Sequence, residues 1–128
     1  MGKLFIVVIM TMLCSCMSNI KEINIKSKAE NKAVSLSKLL KEPLWSIDND
    51  RINVIMESFL VRNKCVYIDI VEVNKKSPSF YKEQKGYEFI RGKINNLGQG
   101  YHLASENIVY KTEGDEQKLG TVRVVFKE

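Results

Sequence analysis

The chain predicts a mainly β protein: a small antiparallel meander, sandwich or open barrel preceded by one short N-terminal helix. Three observations predict it. After Pro43 the apolar residues fall into short runs in which apolar and polar positions alternate, the signature of half-buried strands. Those runs are punctuated by clusters of Asp, Asn, Gly and Lys, which is turn chemistry. Before Pro43 the apolar spacing is instead three to four residues, as on one face of a helix. With 128 residues, the chain has room for one domain.

The elements follow in order. Ala29, Ala33, Leu36 and Leu40 recur at helical spacing, and Pro43 is expected to end that helix because it lacks an N–H and clashes with the preceding turn. Ile20, Ile23 and Ile25 offer an alternative first edge strand. Leu44 to Ile47 opens the β pattern, and Asp48-Asn49-Asp50 reads as a turn. Arg51 to Val61 is expected to form a long strand with Ile52, Val54 and Met56 on one face. After Arg62-Asn63-Lys64, Cys65 to Val73 alternates Val66, Ile68 and Ile70 with Tyr67 and Asp69, so short turns would make these strands antiparallel. Residues 74–86 form a long polar interruption with Pro78 and four lysines. Tyr87 to Ile94 resumes the sheet. Asn95 to Gly100 is a glycine-bearing turn; no helical pattern follows it, which argues against a phosphate loop. Ile108 to Thr112 and Gly120 to Phe126 flank Glu113 to Glu116 as a hairpin, with Val122, Val124 and Phe126 facing one way and Arg123 and Lys127 the other.

The N-terminus speaks to location. Lys3 supplies a positive charge, and Leu4 to Leu13 is an uncharged stretch of ten residues. That matches the apolar region of a signal peptide and is too short for a membrane span, which needs about 20 residues. The residues that follow it, Leu13-Cys14-Ser15-Cys16, resemble the lipobox of bacterial lipoproteins. The resemblance implies cleavage before Cys16 and a lipid on its sulfur, the strongest nucleophile available for that transfer. Cys14 is preceded by bulky Leu13 and does not fit. Several acyl chains hold a protein to a bilayer stably, where a single one does so only marginally. By the sorting pattern of such lipoproteins, Met17 in place of an Asp implies the outer membrane, facing the periplasm. The organisation expected is a signal peptide over 1–15, a lipidated Cys with tether and short helix over 16–42, and a β-rich domain over 43–128. Cys65 would then be the one remaining thiol, without an internal disulfide partner, and its apolar neighbours point to a core position.

Composition narrows the function further. The net charge is +5, with 16 Lys and four Arg; Lys is the less specific phosphate ligand, and an exported domain does not ordinarily meet nucleic acid. His102 is the sole histidine, which leaves no basis for an imidazole metal site. Ser35-Leu36-Ser37-Lys38 has the S-x-x-K spacing of acylating enzymes but lacks its companion motifs. Asp69 and Glu72 fall on opposite strand faces and cannot converge as an acid pair. No catalytic residue, cofactor or metal is therefore expected.

What remains is binding. Trp45, beside Leu44, is either core or a large apolar surface suited to gripping an amphipathic helix. Phe80 and Tyr81 stand out in the polar segment, either as a plug folding back on the core or as a partner-contacting tip. Leu44-Trp45-Ser46-Ile47, Ile52-Asn53-Val54 and Val66-Tyr67 resemble the pilotin lipoproteins of type III secretion systems. The resemblance covers only about residues 44–70, and implies a protein-binding accessory module that escorts a secretin subunit to the outer membrane. The alternative is a periplasmic immunity or inhibitor lipoprotein acting on a toxin or wall hydrolase, with the basic loop from Asn74 to Gly86 steering it to an acidic surface.

Overall fold

A computed structural model describes the backbone of residues 2–128 and the side chains of residues 24–128. The assignments of a signal peptide over 1–15 and of a lipid on Cys16 lie outside the described side chains. Among the described residues, no helix is long and apolar enough to cross a membrane.

The elements are α1 (Gly2–Trp45), α2 (Asn49–Arg62), β1 (Cys65–Glu72), β2 (Phe80–Glu83), the short α3 (Ile90–Lys93), β3 (Tyr101–Thr112) and β4 (Asp115–Lys127). The four strands form one antiparallel sheet in the order β2-β1-β4-β3. The antiparallel sheet expected from the alternation is present. The single short helix is not, because two substantial helices cover one face of an open sheet.

Helix α1 runs through Pro43 and ends at Trp45. Pro43 has no N–H for Leu39 O, so the helix goes without that bond, and its last turn still closes through Ser46 N–H to Glu42 O at 3.0 Å. The chain then turns through Asp48 N–H to Pro43 O (2.8 Å) and Ile47 N–H to Leu44 O (3.4 Å), the pair of bonds that closes a Schellman motif. Its left-handed residue, normally Gly, is here Ile47 at φ 56°. Ala29, Ala33, Leu36, Leu40 and Leu44 are all buried, so this stretch belongs to the core.

The strand expected over Arg51 to Val61 is a helix. Ile52, Met56, Phe59 and Leu60 are buried, and their spacing of four, seven and eight residues is helical. Val54, which a strand would have buried with Ile52, is exposed. The supposed turn at Asp48 is its N-cap: the Asp48 carboxylate accepts from Arg51 N–H at 3.2 Å. Leu44 to Ile47 is likewise helix end and turn rather than strand, and an edge strand at Ile20 to Ile25 gives way to α1.

The main core lies between the helices and one face of the sheet, joining the α1 and α2 residues above to Ile68, Ile70, Ala104, Ile108, Val122 and Val124. Segment 84–100 leaves β2 at one edge and must reach β3 at the other, so it crosses the opposite face of the sheet. The strand expected over Tyr87 to Ile94 is part of this crossover and carries α3. Ile90, Ile94, Tyr87 and Leu97 press on Val66, Tyr67, Val125 and Tyr101, forming a second, smaller core. A bulge at Val66 makes this possible: Cys65 pairs with Phe126 and Tyr67 with Val125, so the extra residue joins Tyr67 on the crossover side. Gly120 is required where β4 meets β1, because a Cβ there would sit 2.7 Å from Val71 O.

Candidate protein-binding face

The crossover covers only half of its face of the sheet. In the register, Glu83, Tyr67, Val125 and Leu103 form one row across the four strands, and Tyr81, Asp69, Arg123 and Ser105 form the next. The first row lies under or beside the crossover. The second is the start of the open half, continued by Thr121 and Asn107, whose side chains meet at 3.3 Å.

At the boundary sits a polar network. The Asp69 side chain is 0% exposed and that of Arg123 21%. Arg123 Nε donates to Asp69 Oδ1 at 2.7 Å and its terminal nitrogen to Oδ2, a two-pronged pairing that fixes both planes. Tyr67 Oη donates to Asp69 Oδ2 at 2.8 Å. The carboxylate is thus held by three donors, which is what allows a charge to lie in the interior. Burial of its ring and the donation to Asp69 push the Tyr67 phenol above its ordinary range. The same carboxylate holds the Arg123 guanidinium more firmly protonated.

Beside this network Arg91, presented by α3, lies over the Tyr81 ring with its guanidinium carbon 4.2 Å from the ring centroid. Tyr81 is directly opposite Asp69 across β2 and β1. Among the described residues no carboxylate pairs with Arg91, so its N–H fork is open to solvent. Phe89 lies close by, 6.3 Å from both Tyr87 and Tyr101 between ring centroids, and is half exposed. Under the crossover, Glu83 Oε2 is buried without a hydrogen-bond partner. The face therefore offers aromatic rings and a guanidinium on a floor that cannot shift without breaking a buried ion pair.

The sequence-derived candidates do not share one patch. Phe80 turns to the helix side and packs on the main core, whereas Tyr81, its neighbour on β2, points to the opposite face and is 40% exposed. Trp45 lies at the end of α1, stacked on Tyr110 at a centroid distance of 4.5 Å and an angle of 5°. It braces the β3–β4 hairpin close to its turn and is partly exposed there beside the exposed Ile47.

Other residues weighed for chemistry lie apart from this face. Cys65 is buried, and loss of water around it raises its thiol from 9.0 to about 12. Ser35 Oγ donates to Asn31 O at 3.1 Å and Ser37 Oγ to Val34 O at 2.7 Å, both within α1. His102 Nε2 lies 3.3 Å from Glu128 Oε1 but off the hydrogen-bonding line, leaving the nitrogen buried without a partner. Glu72 pairs with Lys75 at 2.8 Å, away from Asp69.

Arg91, Arg123, Tyr67 and Asp69 were missed as a set. The alternation in β1 already placed Tyr67 and Asp69 on one face, and that in β4 placed Arg123 opposite the apolar valines. Only the register between those strands, which the sequence does not state, brings them together. No protein-family model matches the chain, and no curated protein matches it.

Proposed function

We propose that this chain is an envelope lipoprotein, anchored through Cys16 to the outer membrane, whose domain is a protein-binding accessory module. The observation that carries the binding part is the Tyr81–Arg91 stack set beside the Asp69–Arg123–Tyr67 network on the open half of the sheet. Tyr and Arg supply a large share of binding energy where partners dock, especially when held rigid beforehand. Arg91 spends one ring-facing side on Tyr81 and keeps its N–H edge for a partner carboxylate, to which guanidinium binds in a fork. An acidic segment of an envelope protein fits that surface, and a secretin subunit escorted in the pilotin manner is the form of this role that the sequence suggests.

The test is recovery of the partner from native envelopes with full-length protein, wild type against Tyr81→Ala/Arg91→Ala. Loss of ten-fold or more with an unchanged circular dichroism spectrum supports the face, as each hot-spot truncation removes about 2 kcal/mol or more. Equal recovery by both proteins refutes it. A secretin subunit among the lost species supports the pilotin-like role; a toxin or wall hydrolase in its place ends that role in favour of an inhibitor.

A further inference from the structure

At the other side of the molecule, α1, the end of α2 and the end of β4 enclose a groove of about 200 Å³. Its floor is apolar, made of Ile25, Ala29 and Phe126, and its rim carries Lys28, Lys32 and Lys64. Lys32 leans over the Phe126 ring, 5.3 Å from the centroid. The stem of Lys127 completes the wall, while its ammonium reaches Tyr87 Oη at 3.5 Å. Among the described residues no Asp or Glu lines the groove, where three lysines stand around an apolar floor. That combination suits a ligand with an anionic head and hydrocarbon behind it. The volume is below the roughly 300–1,000 Å³ of pockets that enclose a drug-sized ligand, so it suits a headgroup and its first methylenes rather than a whole lipid.

We infer that this groove docks the domain onto anionic phospholipid headgroups of the bilayer to which the chain is anchored. The inference rests on the anchor proposed at Cys16. That residue precedes Ile25 by nine positions. The connection reaches ~14 Å if helical and at most ~32 Å if extended, so an acylated sulfur holds the groove within that reach of the membrane surface. The opposite end of α1, with Trp45 and the β3–β4 hairpin, faces away. Each lysine at an anionic surface strengthens attachment about five-fold, and neutral lipid gives no such gain.

Residue-resolved amine labelling of the full-length protein on vesicles tests this. On phosphatidylcholine mixed with phosphatidylglycerol, labelling of Lys28, Lys32 and Lys64 is expected to fall several-fold relative to pure phosphatidylcholine. Lys111 and Lys118, on the far hairpin, should not change. Equal labelling on the two vesicles overturns the inference, and so does protection by inorganic phosphate on pure phosphatidylcholine, which would indicate a free-anion site. Mass analysis of the Cys16 peptide reads the anchor separately. If that sulfur is unmodified, the anchor fails, and the groove is judged by partition onto phosphatidylglycerol vesicles. There a loss of about 25-fold in Lys28→Gln/Lys64→Gln supports it, and no loss overturns it. Both lysines are exposed, so the variant leaves the core intact.

Discussion

Replacing Arg123 by Met removes the cation that faces Asp69 while keeping a side chain of similar length. Asp69 has no exposure of its own, so it cannot recover hydration by a small movement. Of its three donors only Tyr67 Oη would remain. Breaking a buried pair from this side costs about 3–5 kcal/mol, since an unpaired charge stays inside. Set against the roughly 5–15 kcal/mol that holds a domain together, this is about a fifth or more of the total. The reverse change, Asp69→Leu, should cost less. Arg123 is 21% exposed and its long stem can carry the charge to water, leaving chiefly the Tyr67 hydroxyl without an acceptor, at about 1–3 kcal/mol. The double variant Asp69→Leu/Arg123→Met should then be more stable than Arg123→Met alone, although it carries one more substitution. Urea unfolding of the three variants, with midpoints and slopes fitted together, gives these differences. A cost below about 1 kcal/mol for Arg123→Met, the range of an exposed pair, would refute the claim that this network is buried and fixes the candidate face. So would a double variant weaker than both singles.

Two further outcomes follow from local geometry. Ile47 holds a left-handed conformation that costs a non-glycine residue roughly 1–2 kcal/mol, and it is 79% exposed. Ile47→Gly should therefore raise the unfolding free energy, read from urea titration, by up to about 1 kcal/mol after the entropy of the added glycine is deducted; a fall would show that the Ile47 side chain secures the end of α1. Burial raises the Cys65 thiol from 9.0 to about 12, so the folded state holds this proton where the unfolded chain releases it. Stability from this residue is complete below pH 9 and declines as pH rises towards 12, by roughly 4 kcal/mol over that span. Cys65→Ala should flatten the alkaline limb of a stability-against-pH curve, and an unchanged limb would contradict the assigned burial.

Much of the sheet was legible because alternation survives in β1 and β4 and the turn at Glu113 to Glu116 closes a hairpin. The helices were harder for a specific reason. In residues 51–61, Ile52, Val54 and Met56 satisfy a two-residue period, while Ile52, Met56, Phe59 and Leu60 satisfy the helical one. Length should arbitrate, since a run longer than ten residues favours a helix. The deciding residue was Asp48, whose carboxylate serves equally well in a turn or as an N-cap. Pro43 misled in the opposite sense: α1 carries it inside and ends two residues later, at Trp45. The candidate face was not legible as a unit, because it is assembled from β1, β2, β4 and the crossover, and nothing local records their register.

The crossover has a consequence for motion. It is held by its own small set of apolar contacts to Tyr67 and Val125, on the far side of the sheet from the helices. Such a strap can lift away while Leu36, Leu40, Ile52 and Val124 stay packed, since regions with few contacts open at lower free energy than the whole. Arg91 rides on the strap and Tyr81 does not. An excursion of that kind would part the guanidinium from the ring, and a ligand that grips both would act as a latch on the crossover.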